Sequence, residues 1–322
     1  MGIPWQTQDP FLFCVYHLDH YPKGNDEMGP LASLEGRNLG NDFTIKDGWR
    51  MYHGQTIPGF PSHPHRGFET ITIVNKGFCD HSDSLGAAGR FGEGDVQWMT
   101  AGRGVQHSEM FPLLKKDEDN PLELFQIWLN LPKANKFVAP HFAMLWHEDI
   151  PIVSRDGITI KVIAGSFEGV PAPAPAPDSW AATDTNAVSI WNIHMEANSN
   201  FTLPISNQEV NRTLYYYEGS NIKIEGHTIT PDHGIALDAA SAVTLSNGSK
   251  ASHFLLLQGK PIQEPVAKYG PFVMNTDKEI QQAMQEYQRT QFGGWPWPHA
   301  DNVHDRKKGR FAQYPDGTLV TK

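Results

Sequence analysis

Cysteine is almost missing: Cys14 and Cys79 are the only two in 322 residues. That leaves no disulfide framework and no thiolate metal site. Long apolar runs are missing too, so no segment is expected to span a membrane. The opening Met1-Gly2-Ile3-Pro4-Trp5-Gln6 has no basic stretch ahead of an apolar one, and position 6 is neither Ser nor Thr. Neither a secretory signal nor a myristoylation site is therefore expected, and a reducing cytoplasm is the expected location. Positive charge is scarce, with 26 Lys and Arg against 36 Asp and Glu, a net charge of -10. Such a surface repels phosphate, and direct nucleic-acid binding is not expected. The one basic run, Arg306-Lys307-Lys308-Gly309-Arg310, falls in a polar tail and reads as solvated charge. No glycine-rich phosphate loop, dinucleotide fingerprint, nucleophile elbow or His-Glu-x-x-His motif occurs.

Glycine (29) and proline (24), by contrast, are plentiful and punctuate many short segments. Period-two alternation dominates the first half. Phe68 to Val74 sets Phe68, Thr70, Thr72 and Val74 on one face and Glu69, Ile71 and Ile73 on the other. Val96–Met99 and Val105–Phe111 read as strands after glycine turns, and Leu122–Leu131 reads as a strand buried on both sides. Ile158–Ile163, Ala187–Met195, Thr213–Glu218 and Phe254–Leu257 continue the style at lower amplitude. The alternating Pro and Ala of Pro171–Pro177 predict a stiff surface loop. Thr276, with Glu279 three residues on, signals a helix start, and Ile280, Ala283, Met284 and Tyr287 form its apolar stripe. The expected class is all-β, sandwich or barrel, with that one helix.

Two short strings carry the chemistry. In His63-Pro64-His65 the imidazoles stand two positions apart, and extended backbone turns both to one face. Pro64 fixes its own φ and biases His63 toward the extended region. His107-Ser108-Glu109 repeats the spacing 42 residues later. A lone His-x-His is commonly polar surface. Two such pairs on neighbouring strands facing one interior would make a four-ligand shell of His63, His65, His107 and Glu109. Imidazoles with one carboxylate suit iron, nickel, copper, manganese or zinc. His194, His227, His233 and His253, like His141 and His147, occur singly and read as ordinary polar residues.

These residues lie inside His63-Pro64-His65-Arg66-Gly67-Phe68-Glu69-Thr70 and Gly102-Arg103-Gly104-Val105-Gln106-His107-Ser108-Glu109, and both strings resemble the signature of the pirin family of cupins. Gly270-Pro271-Phe272-Val273-Met274-Asn275-Thr276 resembles the family's C-terminal segment, so the similarity runs from about His63 to about Tyr287. The resemblance implies a bicupin, with two β-barrels face to face. A metal-binding domain would occupy residues 1–140, and a metal-free one residues 141–322 with a helix over about 276–290 and an irregular tail. It also implies one divalent ion, iron(II) foremost, with nickel, cobalt, copper, manganese or zinc as alternatives. The general cupin pattern would take the carboxylate from the first string, where Glu69 stands. Pirins use the second, so Glu109 is assigned to the metal and Glu69 to a supporting place near Arg66.

Two functions follow from the resemblance. Some pirins resemble quercetinases, which open the central ring of a flavonol with O2. Glu109 would then also be the catalytic base, the substrate a small phenolic compound, and Phe68, Trp98 and Phe111 candidate pocket lining. Other pirins resemble redox-sensitive iron-dependent regulators, which would bind a transcription factor or a metabolic enzyme through a protein interface. A third option is a metal-stabilised barrel that binds a small molecule without chemistry.

Overall fold

The structure, a computed structural model, describes residues 1–206 and 209–322. Strands make up nearly all of its regular structure. Among the described residues α1, Asp277–Thr290, is the one α-helix, and no helix is long and apolar enough to cross a membrane. The chain divides into two compact units. One holds residues 16–126, 133–147 and 264–322; the other holds 1–15, 127–132 and 148–263.

The first of these is built from residues 16–21 of β1 (Phe11–Tyr21), β2 (Gly59–His65), β3 (Phe68–Lys76), β4 (Phe78–Asp83), β5 (Ala88–Gly92), β6 (Val96–Thr100), β7 (Val105–Met110), residues 120–126 of β8 (Asn120–Asn130) and β9 (His141–Leu145). One sheet runs β1-β8-β3-β6-β9. The other runs β2-β7-β4-β5 and is extended by Phe311–Gln313 and Leu319–Thr321. Every residue from Phe68 to Val74 is buried, because both faces of β3 are covered. Val74, Cys79, Leu122 and Leu124 join one apolar cluster with Phe91, Phe111 and Phe142. By alternation the same faces then continue through Thr72 and Thr70, His81, and Gln126. Apolar packing thus fills one end of the interior and polar side chains the other.

The second unit repeats the plan. A six-stranded sheet and a four-stranded sheet enclose a single apolar cluster that includes Ile160, Val162, Trp191, Ile193, Leu214 and Leu256. The Pro-Ala stretch forms no strand beyond the short pair Ser166–Phe167 with Val170–Pro171.

The helix begins where its sequence signals place it. Thr276 is the N-cap, its hydroxyl oxygen accepting from the Glu279 amide at 3.2 Å. Ile280 and Ala283 are buried against Phe272, Met274 and Phe292, with Met284 and Tyr287 packed at the edge.

Candidate metal centre

β2 and β7 pair antiparallel with His63 opposite His107 and Phe60 opposite Glu109. The register shifts between Phe60 and His63, and such a shift re-aims side chains at a strand end. His63 and His65 share a face because Pro64 lies between them in extended backbone. The turns that bracket these strands have steric reasons. Gly67 has φ +86°, and a Cβ there would lie 2.0 Å from the Val273 carbonyl oxygen. Gly104 has φ +129°, and its Cβ would strike the Phe292 ring at 2.8 Å. Only glycine fits either place. The segment carrying Val273 and Phe292 also ties down the motif strands. Tyr287 donates its hydroxyl to Gln106 Oε1 at 3.0 Å, and Gln106 Nε2 donates to the Gln291 carbonyl at 2.6 Å.

One ligand nitrogen from each of His63, His65 and His107 falls within 4.8 Å of the others. His65 is 3% exposed and His107 fully buried. Burial pushes His63 down to about 4 and carries His65 and His107 well below the ordinary imidazole range. All three rings are therefore neutral near pH 7, the state that offers a lone pair to a cation. His63 Nδ1 donates to the Pro61 carbonyl at 2.9 Å, which leaves its Nε2 as the free lone pair. Both nitrogens of His107 are buried without a hydrogen-bond partner among the described residues. Leaving such a group unsatisfied costs about 1–3 kcal/mol, a penalty that a metal bond removes. The three histidines fit a divalent metal.

Glu109 lies beside this cluster rather than inside it. Its Oε2 is 3.8 Å from His107 Nε2. Oε1 accepts from the Thr72 hydroxyl at 2.8 Å, and Oε2 accepts from Gln126 Nε2. Burial raises the Glu109 pKa, against the hydrogen bonds from Thr72 and Gln126. The carboxyl is thus 1% exposed, oriented, and a better proton acceptor than an ordinary glutamate.

Glu69 stands elsewhere. Alternation turns it away from Thr70 and Thr72, and its Oε1 accepts from the Thr100 hydroxyl at 2.7 Å. Arg66 binds Glu286 on α1 at 2.8 Å and the Arg103 carbonyl at 2.6 Å, because α1 brings a carboxylate to its open side. Among the three aromatic candidates, Phe68 packs edge-on against His65 at 5.1 Å. Trp98 pairs with Ile71 on the outward face, and Phe111 belongs to the apolar cluster.

Residues 6–129 match the Pirin family and residues 190–293 the Pirin C-terminal cupin domain. The chain is 39% identical to a Pirin-like protein of Solanum lycopersicum, over 71% of its own length and 75% of that protein. It is 36% identical to Pirin of Homo sapiens, over 75% of its own length and 80% of that protein. This chain belongs to the pirin family. Its fold resembles that of a quercetin 2,3-dioxygenase from Acinetobacter baumannii, with a TM-score of 0.70 at 28% identity, covering 88% of this chain and 86% of that one. The all-β bicupin fold expected from the sequence is the fold found.

The pirin interior holds more than the motif strings announce. On β4, His81 stands opposite Glu109 and Asp83 opposite His107. His81 Nε2 lies 3.3 Å from Asp83 Oδ2, and its ring centroid is 5.5 Å from that of His107. His81-Ser82-Asp83 has the same two-residue spacing as the other pairs, which is the signal that could have found it. Thr72 and Gln126 carried no such signal.

Proposed function

We propose that this pirin holds one divalent metal, iron(II) foremost, on His63, His65, His107 and Glu109, and opens a flavonol-like enol with O2. The observation that carries the proposal is the cluster of three neutral imidazoles, with an oriented carboxyl of raised basicity beside it. Likeness to a structure named as a quercetin 2,3-dioxygenase supports the choice of reaction.

A metal on this ligand set would lower the pKa of a bound phenol and leave positions open for the substrate and dioxygen. The chain's own residues would do the rest. His63, His65 and His107 each present a lone pair from a strand interior, so the site is organised before metal arrives. Glu109 takes the proton of the substrate's 3-hydroxyl while Thr72 and Gln126 hold the carboxyl in place. Thr70 and Gln97, buried on the same face as Thr72, line the interior with polar groups. We place the protein in a reducing cytoplasm, which two free, buried cysteines support.

The test is aerobic incubation of the iron-loaded chain with quercetin, following flavonol absorbance and oxygen uptake. Turnover that disappears in His63→Ala supports the proposal. Absence of turnover with iron bound, repeated with nickel, cobalt, copper and manganese, overturns the dioxygenase assignment and leaves the regulatory reading.

A further inference from the structure

A second polar end exists, in the other unit. Along its six-stranded sheet the inward faces of three adjacent strands bury Trp191, Leu256 and Leu214. Two residues further along each strand, the same faces carry Ser189, Gln258 and Arg212, joined in the ladder pairs Ser189–Gln258 and Gln258–Arg212. These three positions border a cavity of about 800 Å³, within the ordinary range for small-ligand sites.

Arg212 is 2% exposed. Its Nε donates to Gln258 Oε1 at 2.7 Å and its Nη1 to the Pro204 carbonyl at 2.9 Å. Gln258 is fixed in turn, because its Nε2 donates to the Ala187 carbonyl at 3.1 Å and to Ser206 Oγ at 3.0 Å. The guanidinium plane is therefore set. Its Nη2 makes no hydrogen bond, and no carboxylate forms an ion pair with it, among the described residues. Asp238 adds only a longer-range field, its carboxylate being engaged by the Ser241 hydroxyl and the Ala240 amide. A buried, oriented cation with open donors is costly to keep unless an anion completes it. The Ser189 hydroxyl, also without a partner among the described residues, stands on the same rim.

Another part of the cavity is chemically different. Pro171, Pro173 and Pro175, with Ala172 and Ala174 between them, line it, and proline offers no amide donor. The sequence predicts only a stiff excursion there; the structure places that excursion in the lining of the same cavity as the arginine. One cation suits one negative charge, and the Asp184 side of the lining repels a second. A planar carboxylate matches the two-donor edge of a guanidinium.

We propose that this cavity binds a monocarboxylate with an apolar body, its carboxylate on Arg212 and Ser189 and its body against the Pro171–Pro175 wall. The site does not depend on the metal centre or on the reaction proposed for it.

Benzoate and cyclohexanecarboxylate, with inorganic phosphate for comparison, would be titrated calorimetrically into the full chain as isolated and after chelator treatment. The expected result is saturable binding of one benzoate per chain, unchanged by chelation. Arg212→Gln should weaken it by at least about tenfold, the size of a lost charge-assisted hydrogen bond. Ala181→Trp, which fills the cavity wall and leaves the arginine intact, should abolish it and decides the matter if Arg212→Gln does not fold. The proposal is overturned if neither carboxylate saturates below about 10 mM, an affinity of under 3 kcal/mol. Binding that vanishes with chelation, or that survives Ala181→Trp, overturns it as well. Phosphate binding as tight as benzoate would overturn the monocarboxylate class.

Discussion

The two units bury their inward faces in opposite ways. In the unit of β2 to β7, the faces that begin at Val74, Cys79 and Leu124 end in Thr72 and Thr70, His81, and Gln126, with His107 and Glu109 opposite. In the other unit the corresponding row is Trp191, Ile193, Leu214, Tyr216, Phe254 and Leu256, apolar until its last positions. The first arrangement is the more costly one. His107, Thr70 and Gln97 keep buried polar atoms without hydrogen-bond partners among the described residues, each at about 1–3 kcal/mol. A fold tolerates that where a ligand supplies the missing partner. Within the apolar row only Trp191 Nε1 is buried without a hydrogen-bond partner among the described residues. One architecture therefore carries a polar, metal-fitting interior in one unit and a mostly apolar one in the other, and the choice is made by residues two apart on a few strands.

The strongest way to break the comparison is to remove a ligand. His107→Ala should lower metal affinity by more than the roughly 100-fold seen for supporting partners of metal ligands. Metal content after dialysis would show it, and flavonol turnover should fall with it. Retention of wild-type metal would remove His107 from the site. In the other unit, Leu214→Ala deletes buried methyl groups from the apolar row and should cost about 2–5 kcal/mol in denaturant unfolding. Metal content should not change. If it did, the apolar row would be part of the site rather than its scaffold.

The contrast should also appear as pH dependence in the metal-free protein. His63, His65 and His107 have folded pKa values depressed by burial, His63 to about 4, against an ordinary value near 6.5. Between those values the unfolded chain binds more protons, so stability is lost as pH falls from about 6.5 toward 4. Each such ring contributes up to about 1.4 kcal/mol per pH unit. Glu109, with a raised folded pKa, acts in the opposite sense, one group against three. Urea midpoints across that range should therefore fall with acidity, and bound metal should flatten the slope. Metal affinity itself should change little from pH 6.5 to 8, because the rings are already neutral there. A flat midpoint in the metal-free chain would refute the neutral-imidazole picture.

What the sequence displays are relations of near neighbours. His63 with His65, and His107 with Glu109, can be read because extended backbone puts i and i+2 on one face. The Thr276 cap, the α1 stripe and strands β3, β6 and β7 are legible for the same reason. Register is not legible. Nothing local says that His63 faces His107, that β4 slides His81 opposite Glu109, or that Gln126 on β8 reaches the same carboxyl. Arg66 illustrates the limit, since its partner Glu286 lies 220 residues away. Ser189, Arg212 and Gln258 also become neighbours only through strand pairing.

The smallest predicted effect tests one of those invisible relations. Thr72 donates to Glu109 Oε1 at 2.8 Å, and that bond favours the ionised carboxylate against the burial that raises its pKa. Thr72→Val keeps the shape and removes the donor, so the Glu109 pKa should rise further. If Glu109 is the proton acceptor, the acid limb of the flavonol rate profile should move to higher pH. Turnover near pH 7 should fall by roughly tenfold, the lower end of the range for one hydrogen bond to a charged group. A purely structural role for Thr72 would lower the rate at all pH values and leave the limb in place. The position of the limb, rather than the loss of rate, is therefore the measurement that ties Glu109 to the chemistry.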